Sequence, residues 1–321
     1  MNLRDALCDL RDAKELESKI FWIDRICINQ GDSNEKNTQV AMMGEIYQNA
    51  DRVITYLGAA VDSLQEERGL NLPKGLEAYY QDDPIMLHSC QSPHEASLKV
   101  YSGEIKTLPQ KPAELGVDIG QEKVSGHDWR WLYDVCFGEW TQRLWMVQEQ
   151  LLNRNTIMLR GPHVLSWESV AGIVLLASTQ ILPQGLYAAF WRRKGRDRIP
   201  DGFADAVFFL SITRCHIVKG NCRLEYTLRA TMHCLRALQC HDPRDRVYAL
   251  MSICSDIGKL GIVPDYSHSN TALRFSPKLA QRLIETEMNL HILTDVCTRH
   301  PPSASRALPS WAPGMYIINI T

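Results

Sequence analysis

The sequence predicts an α/β protein with a mainly parallel sheet, a long insertion and a mostly helical carboxyl-terminal region. Three observations carry this expectation. Phe21 to Gly58 reads as strand, polar loop, helix and strand, the order of a βαβ unit. Thr156 to Leu165 reads as strand, Gly161-Pro162 turn and short strand. From Phe203 onward the apolar residues recur mainly at helical spacing.

Each element follows from local chemistry. Leu3, Leu7 and Leu10 share one helical face behind Asn2, a residue able to cap, so a first amphipathic helix runs from Asn2 to about Lys14. Ile20 to Ile23 is an apolar run of strand length. Asn37 to Asn49 places Val40, Met43, Ile46 and Tyr47 on one face, as a crossover helix packed on a sheet requires. Val53 to Leu57 is the next strand. Leu70 to Ser125 is rich in Pro, Gly, Gln and Lys without a sustained period, and reads as an irregular insertion at about 70–125.

The second half continues in the same way. Asp128 to Asn153 is helical in pattern and dense in aromatics, with Trp129, Trp131, Tyr133, Phe137, Trp140 and Trp145 as core or interface anchors. Ser166 caps a helix after the short strand. Phe203–Thr213 and Tyr226–Leu238 are helical by pattern, and Arg192 to Arg198 is a solvated basic turn. Asp242-Pro243-Arg244-Asp245 has the chemistry of a helix start, predicting a helix over Arg244–Ile253. Thr271–Glu287 is a further helix, and Leu308 to Pro313 is a loop anchored by Trp311. The expected division is a domain at 1–180 and a helical region at 181–321.

Composition excludes several classes. A chain of 321 residues, 45% hydrophobic and 22% charged, has the make-up of an ordered globular protein, not a disordered one. A formal net charge of -2 gives no electrostatic ground for nucleic acid as a partner. The longest apolar runs, Ile173 to Ala177 and Ala204 to Ile212, are too short to span a bilayer. Ten cysteines without a C-x-x-C pair, and no secretory segment, point to reduced thiols and a cytoplasmic location. Cys215-His216, Cys222, Cys234 and Cys240-His241 fit no zinc spacing, so no metal is expected.

The loop after the first strand carries the candidate binding residues. Asp24, Arg25, Asn29 and Gln30 would lie at a strand's carboxyl end, where open parallel sheets hold their ligands. Plainer roles stand beside this one. Asp24 also suits a cap or a basic partner, Asn29 and Gln30 can bridge loop backbone groups, and Arg244, Asp245 and Arg246 suit local ion pairs. Cys27, between two isoleucines, reads as packing. A catalytic thiol would want a histidine, and the nearest, His88, lies in the insertion.

Taken together, Phe21 to Gln30, Gln39 to Gly58 and Arg143-Leu-Trp-Met-Val-Gln-Glu149 resemble successive blocks of the fungal heterokaryon incompatibility domain. Asp242 to Ala249, Pro264-Asp-Tyr266 and Leu308 to Pro313 are similar to elements that follow those blocks. The resemblance implies a cytosolic module of non-self recognition and programmed cell death, working with protein partners of an incompatibility pathway or as a homo-oligomer. It also implies a small doubly wound sheet like that of Toll/interleukin-1 receptor domains. Some members of that wider fold cleave nicotinamide from NAD with a glutamate four residues after a tryptophan, the spacing of Trp145 and Glu149 here.

Glu149 is thereby the candidate catalytic residue, and Arg143, Arg25 and Trp145 join Asp24, Asn29 and Gln30 as candidate binding residues. No cofactor is required; NAD would be a substrate. Without the resemblance, a Trp and a Glu at this spacing read as a core aromatic beside a solvated carboxylate. A non-enzymatic assembly module and a truncated, inactive member are the alternative readings. The family opens with a Ser-Tyr-x-Trp-Gly strand that is expected to be missing ahead of Met1. The loop Asp24 to Gln30 is expected to face the Arg143 to Glu149 segment across one cleft.

Overall fold

A computed structural model describes residues 3–13, 16, 20–60, 66, 69–71, 131, 135, 138, 140–167, 206–207, 209–210, 213–214, 217 and 226–295. Its elements are α1 (Leu3–Asp12), α2 (Asp24–Cys27), α3 (Ser33–Asn49), β1 (Val53–Gly58), α4 (Met146–Leu151), β2 (Thr156–Arg160) and β3 (His163–Leu165). There follow α5 (Leu228–Cys234), α6 (Asp245–Tyr248), α7 (Ile257–Leu260), α8 (Ala272–Glu287) and a 3-10 turn, His291–Asp295. Most of the expected insertion lies outside the described residues, as do Trp129, Tyr133, Phe137, His88, Arg192 to Arg198 and Leu308 to Pro313.

The strands form one mixed sheet in the order β1-β2-β3. β1 runs parallel to β2, with Val53 opposite Thr156, and β2 runs antiparallel to β3, with Met158 opposite Leu165. Alternation along the strands sends side chains to two different cores. Ile54, Tyr56, Ile157, Leu159 and Val164 meet Leu10, Ala13 and Leu16, so α1 and the residues after it cover one face. Tyr56 donates its hydroxyl to Asp9 on α1 at 2.5 Å. Met158 and Leu165 face the other way, into a larger core with Val40, Met43, Leu144, Met146, Val147 and Leu151.

That larger core does not stop at residue 180. Leu228, Leu238, Val247, Tyr248, Leu250, Leu260, Leu279 and Leu283 belong to the same cluster. α3 approaches the 252 region so closely that a Cβ on Gly44 would lie 2.0 Å from Ser252 Oγ. At the turn between β2 and β3, Gly161 takes φ +53°, and a Cβ there would meet Ala60 at 2.6 Å. Arg160 forms an ion pair with Glu66 at 2.8 Å, both side chains largely withdrawn from solvent at 17% and 4% exposure.

Several expectations are corrected. Ile20 to Ile23 is not a strand: the segment pairs with no strand among the described residues and runs directly into α2. Apolar content sets strand propensity, but a ladder needs a neighbour. α3 begins at Ser33, because Asp32 accepts from the backbone of Asn34 and Glu35 and caps the helix earlier than the apolar period suggested. Arg244–Ile253 is α-helical only over Asp245–Tyr248. Beyond it the chain tightens into i→i+3 bonds, Leu250 to Val247 and Met251 to Tyr248, while Val247 to Leu250 stay buried.

Of the expected helical stretch Asp128–Asn153, residues 140–145 form turns and a bridge from Arg143 to Gln239 and α4 spans only Met146–Leu151, while Tyr226–Leu238 is α-helical only over Leu228–Cys234. Thr227 caps α5 by accepting from Ala230, and α8 begins directly after Thr271. No helix among the described residues is long and apolar enough to cross a membrane. No three His, Cys, Asp or Glu side chains among them gather as a metal site. Of the cysteine and histidine cluster, Cys215, His216 and Cys222 lie outside the described residues.

Candidate functional site

Glu149 lies on α4, against the middle of β1 and not beyond its carboxyl end. Its Oε2 accepts the Trp140 indole N–H at 2.7 Å and the Thr55 hydroxyl at 3.3 Å. Both donors converge on one oxygen, and no described residue donates to Oε1. Burial raises the carboxyl's pKa; Arg143 and the Trp140 bond oppose the shift, and the charge of Asp24 adds to it. The geometry therefore holds a carboxyl that is oriented through one oxygen.

The charges of Asp24 and Arg143 both reach this carboxyl, so these two residues lie near it on separate segments. Arg143 is exposed, and Asp24 is half-buried. α3 contributes Tyr47, whose ring stands edge-on to Trp22 with centroids 6.1 Å apart. Burial raises the Tyr47 pKa, the charges of Glu149 and Asp24 add to it, and Arg143 opposes them. The phenol stays protonated and able to donate, and no described residue accepts from it.

The other loop residues are occupied locally. Asp24 Oδ1 accepts from the backbone N–H of Arg25 at 2.7 Å. Asn29 Oδ1 accepts from Gly31 N–H at 3.1 Å, and Glu35 accepts from Asn29 N–H at 2.8 Å, which ties the loop to the first turn of α3. Gln30 donates to the Asp24 carbonyl at 3.4 Å. Arg25 is exposed. Cys27, expected to pack, is exposed; Ile28 takes the buried position. Cys27 is the last residue of α2, and the chain turns extended at Ile28, its C-cap.

Trp145 turns away from Glu149's polar contacts. Its indole N–H donates to Asp245 Oδ2 at 3.1 Å, and the other oxygen of Asp245 accepts from the Tyr266 hydroxyl. Asp245 is buried, which raises its pKa against the two hydrogen bonds. Lys36 sits 3.8 Å from the Tyr266 ring centroid, and Asn37 Oδ1 accepts from Tyr266 N–H at 2.7 Å. Arg244 grips Asp242 with two nitrogens, at 3.0 and 2.7 Å, and donates to the carbonyls of Asp265, Ser267 and Asn270. Asp245, expected in a local ion pair, serves this longer-range junction instead.

Sequence reasoning did not anticipate several residues of this neighbourhood. Thr55 and Trp140 orient Glu149, and Tyr47 was legible only as a core position. Gln148 and Gln150, on either side of Glu149, are fully buried and donate to Ala249 O at 3.0 Å and Thr55 Oγ1 at 3.1 Å. Each leaves its own Oε1 without a partner among the described residues. The one available signal was two glutamines at core positions of an otherwise apolar segment, because a buried amide is normally there to bond.

Residues 1–149 match the family model of the heterokaryon incompatibility protein (HET). The matched stretch ends on Glu149 and supports the resemblance read from the motifs. Over 333 aligned residues the chain is also 28% identical to heterokaryon incompatibility protein 6, OR allele, of Neurospora crassa. That similarity covers 96% of this chain and 46% of the relative, so the chain spans about half the length of the curated protein it matches. No solved structure matches the chain.

Proposed function

We propose that this chain acts in fungal heterokaryon incompatibility as a cell-death module, and that it does so by cleaving NAD at the bond between ribose and nicotinamide. The observation that carries the reading is the Glu149 carboxyl, fixed through Oε2 by Trp140 and Thr55 while Oε1 takes no bond from a described residue. The family match and the relative in Neurospora crassa support the incompatibility role. The likeness to Toll/interleukin-1 receptor domains, in fold and chemistry, is part of the proposal.

The chemistry asks little of the protein. When the C1′–N bond breaks, its electron pair stays on the nicotinamide nitrogen, which leaves neutral, and the ribose gains oxocarbenium character. An ionised Glu149 would stabilise that cation and accept the proton that the attacking water loses as it adds to C1′. Arg143 would hold the diphosphate through charge-assisted bonds, and Tyr47 would donate to the sugar or the amide. Protein partners of the pathway and self-association would then govern when the site works.

The test is NAD consumption by the purified chain, followed as nicotinamide and ADP-ribose released, beside Glu149→Gln. Loss of turnover in the variant, at an unchanged thermal midpoint, is the expected result. Equal turnover in both proteins would overturn the role of Glu149. An absence of turnover in the wild type under activating conditions would favour an assembly module, in which the Glu149 bonds simply knit α4 to β1.

A further inference from the structure

We infer that Asp245 is a positioning residue of the Glu149 site, setting where the carboxylate sits by holding Trp145 and Tyr266 together. The catalytic half of this inference rests on the reading of Glu149 given above; the positional half does not.

α4 has only six residues and no side chain capping its start, so it cannot fix its own place. Beside its bonds to Thr55 and its buried Met146, Val147 and Leu151, it is held by bonds to a distant segment. Leu144 N–H donates to Gln239 O at 2.7 Å, Gln148 Nε2 donates to Ala249 O at 3.0 Å, and the Trp145 indole donates to Asp245 at 3.1 Å. Of these acceptors, only Asp245 is a side chain, and it has a second partner on another segment. Tyr266, which donates to it, is itself fixed to α3 through Asn37 and stacked beneath Lys36.

Asp245 is thus the point where three stretches meet: α4 through Trp145, α3 through Tyr266, and its own turn. Trp145 stands one helical turn before Glu149, so an error in its placement carries to the carboxylate almost undiminished. A buried carboxyl with both oxygens occupied is a demanding way to make such a joint, since each oxygen left unbonded costs desolvation without return. Asparagine can serve in its place. Its carbonyl would accept from Trp145, and its amide would donate to the Tyr266 oxygen.

The full chain labelled with 15N at the indoles gives a direct test, because eight tryptophans give at most eight resolvable N–H signals. The Trp140 signal reports Glu149, and the Trp145 signal reports Asp245. In Asp245→Ala both signals should move, and in Asp245→Asn the Trp140 signal should return to its wild-type position. Should Asp245→Ala fail to fold, Trp145→Phe removes the donor alone and should move the Trp140 signal as well. A Trp140 signal unmoved in the folded variant would overturn the inference. Where NAD turnover is measurable, kcat should fall about tenfold at constant KM in Asp245→Ala and recover in Asp245→Asn. A wild type without turnover would count against the Glu149 reading and leave the indole signals to decide the position of α4.

Discussion

The Trp140 indole donates to the Glu149 carboxylate across 2.7 Å, joining a tryptophan that is 3% exposed to a carboxyl whose pKa is raised by burial. A carboxyl in this setting is anchored without being neutralised by an ion pair. Arg143 supplies a field and not a direct bridge, so the group remains free to change its proton.

The Tyr47 phenol should matter for a ligand and hardly at all for stability. Tyr47→Phe removes a hydroxyl that no described residue uses, so the thermal midpoint should stay close to that of the wild type. One neutral hydrogen bond is worth about 1 kcal/mol, so affinity for ADP-ribose measured by calorimetry should fall about fivefold. Unchanged affinity would remove Tyr47 from the site.

Stability should decline as pH rises just above the ordinary carboxylate range. The folded-state pKa values of Asp245 and Glu149 are raised from 3.8 and 4.5, chiefly by burial. Between those values and the raised ones the folded chain keeps protons that the unfolded chain has released. Their contribution is complete below the unfolded values and lost as pH climbs through the folded ones. Asp265, held low by its bond to Ser267, works in the opposite sense at more acid pH. Urea midpoints across this range should be flatter for Asp245→Asn than for the wild type; identical slopes would contradict the assignment.

Gly44→Ala should destabilise the protein by about 1–3 kcal/mol, the usual cost of overpacking a closed interface. The added Cβ would lie 2.0 Å from Ser252 Oγ and 2.4 Å from its Cβ, so trimming the hydroxyl alone gives no relief. Ser252→Gly should recover part of the loss in a double-mutant cycle of chemical denaturation. Additive effects would mean that the two residues do not meet.

Thiol reactivity should divide by position. Cys8 and Cys27 are exposed, whereas burial pushes Cys240 up to about 11 and Cys254 up to about 12. Alkylation of the folded chain at mildly alkaline pH, mapped by mass spectrometry, should modify the first pair and spare the second. Rapid labelling of Cys254 without unfolding would be inconsistent with its burial.

Local chemistry made α1, α3, β1, β2, β3, α5 and α8 legible, because each has an apolar period or a turn signal inside its own residues. Ile20 to Ile23 looked like a strand because pattern alone does not say whether a ladder partner exists. The α6 region looked longer because close packing of Val247 to Leu250 selects tighter turns than propensity does. At the site, Glu149 was reachable only through family resemblance, and Arg143 came with it, whereas Asp24 was legible in the polar loop after Ile23. The partner of Trp145 was not reachable, since 100 positions separate that residue from Asp245. Nothing in either segment encodes the other.

The pairing of Gln142 with Gln239, 97 positions apart, has a consequence for the order of synthesis. A ribosome that has just finished Glu149 has still to make Gln239, and then Asp245 and, 21 positions beyond it, Tyr266. At about 5–20 residues per second, several seconds pass before the carboxylate has its full set of supports. A nascent chain therefore carries Glu149 for some time before Asp245 and Tyr266 exist to complete the junction with Trp145.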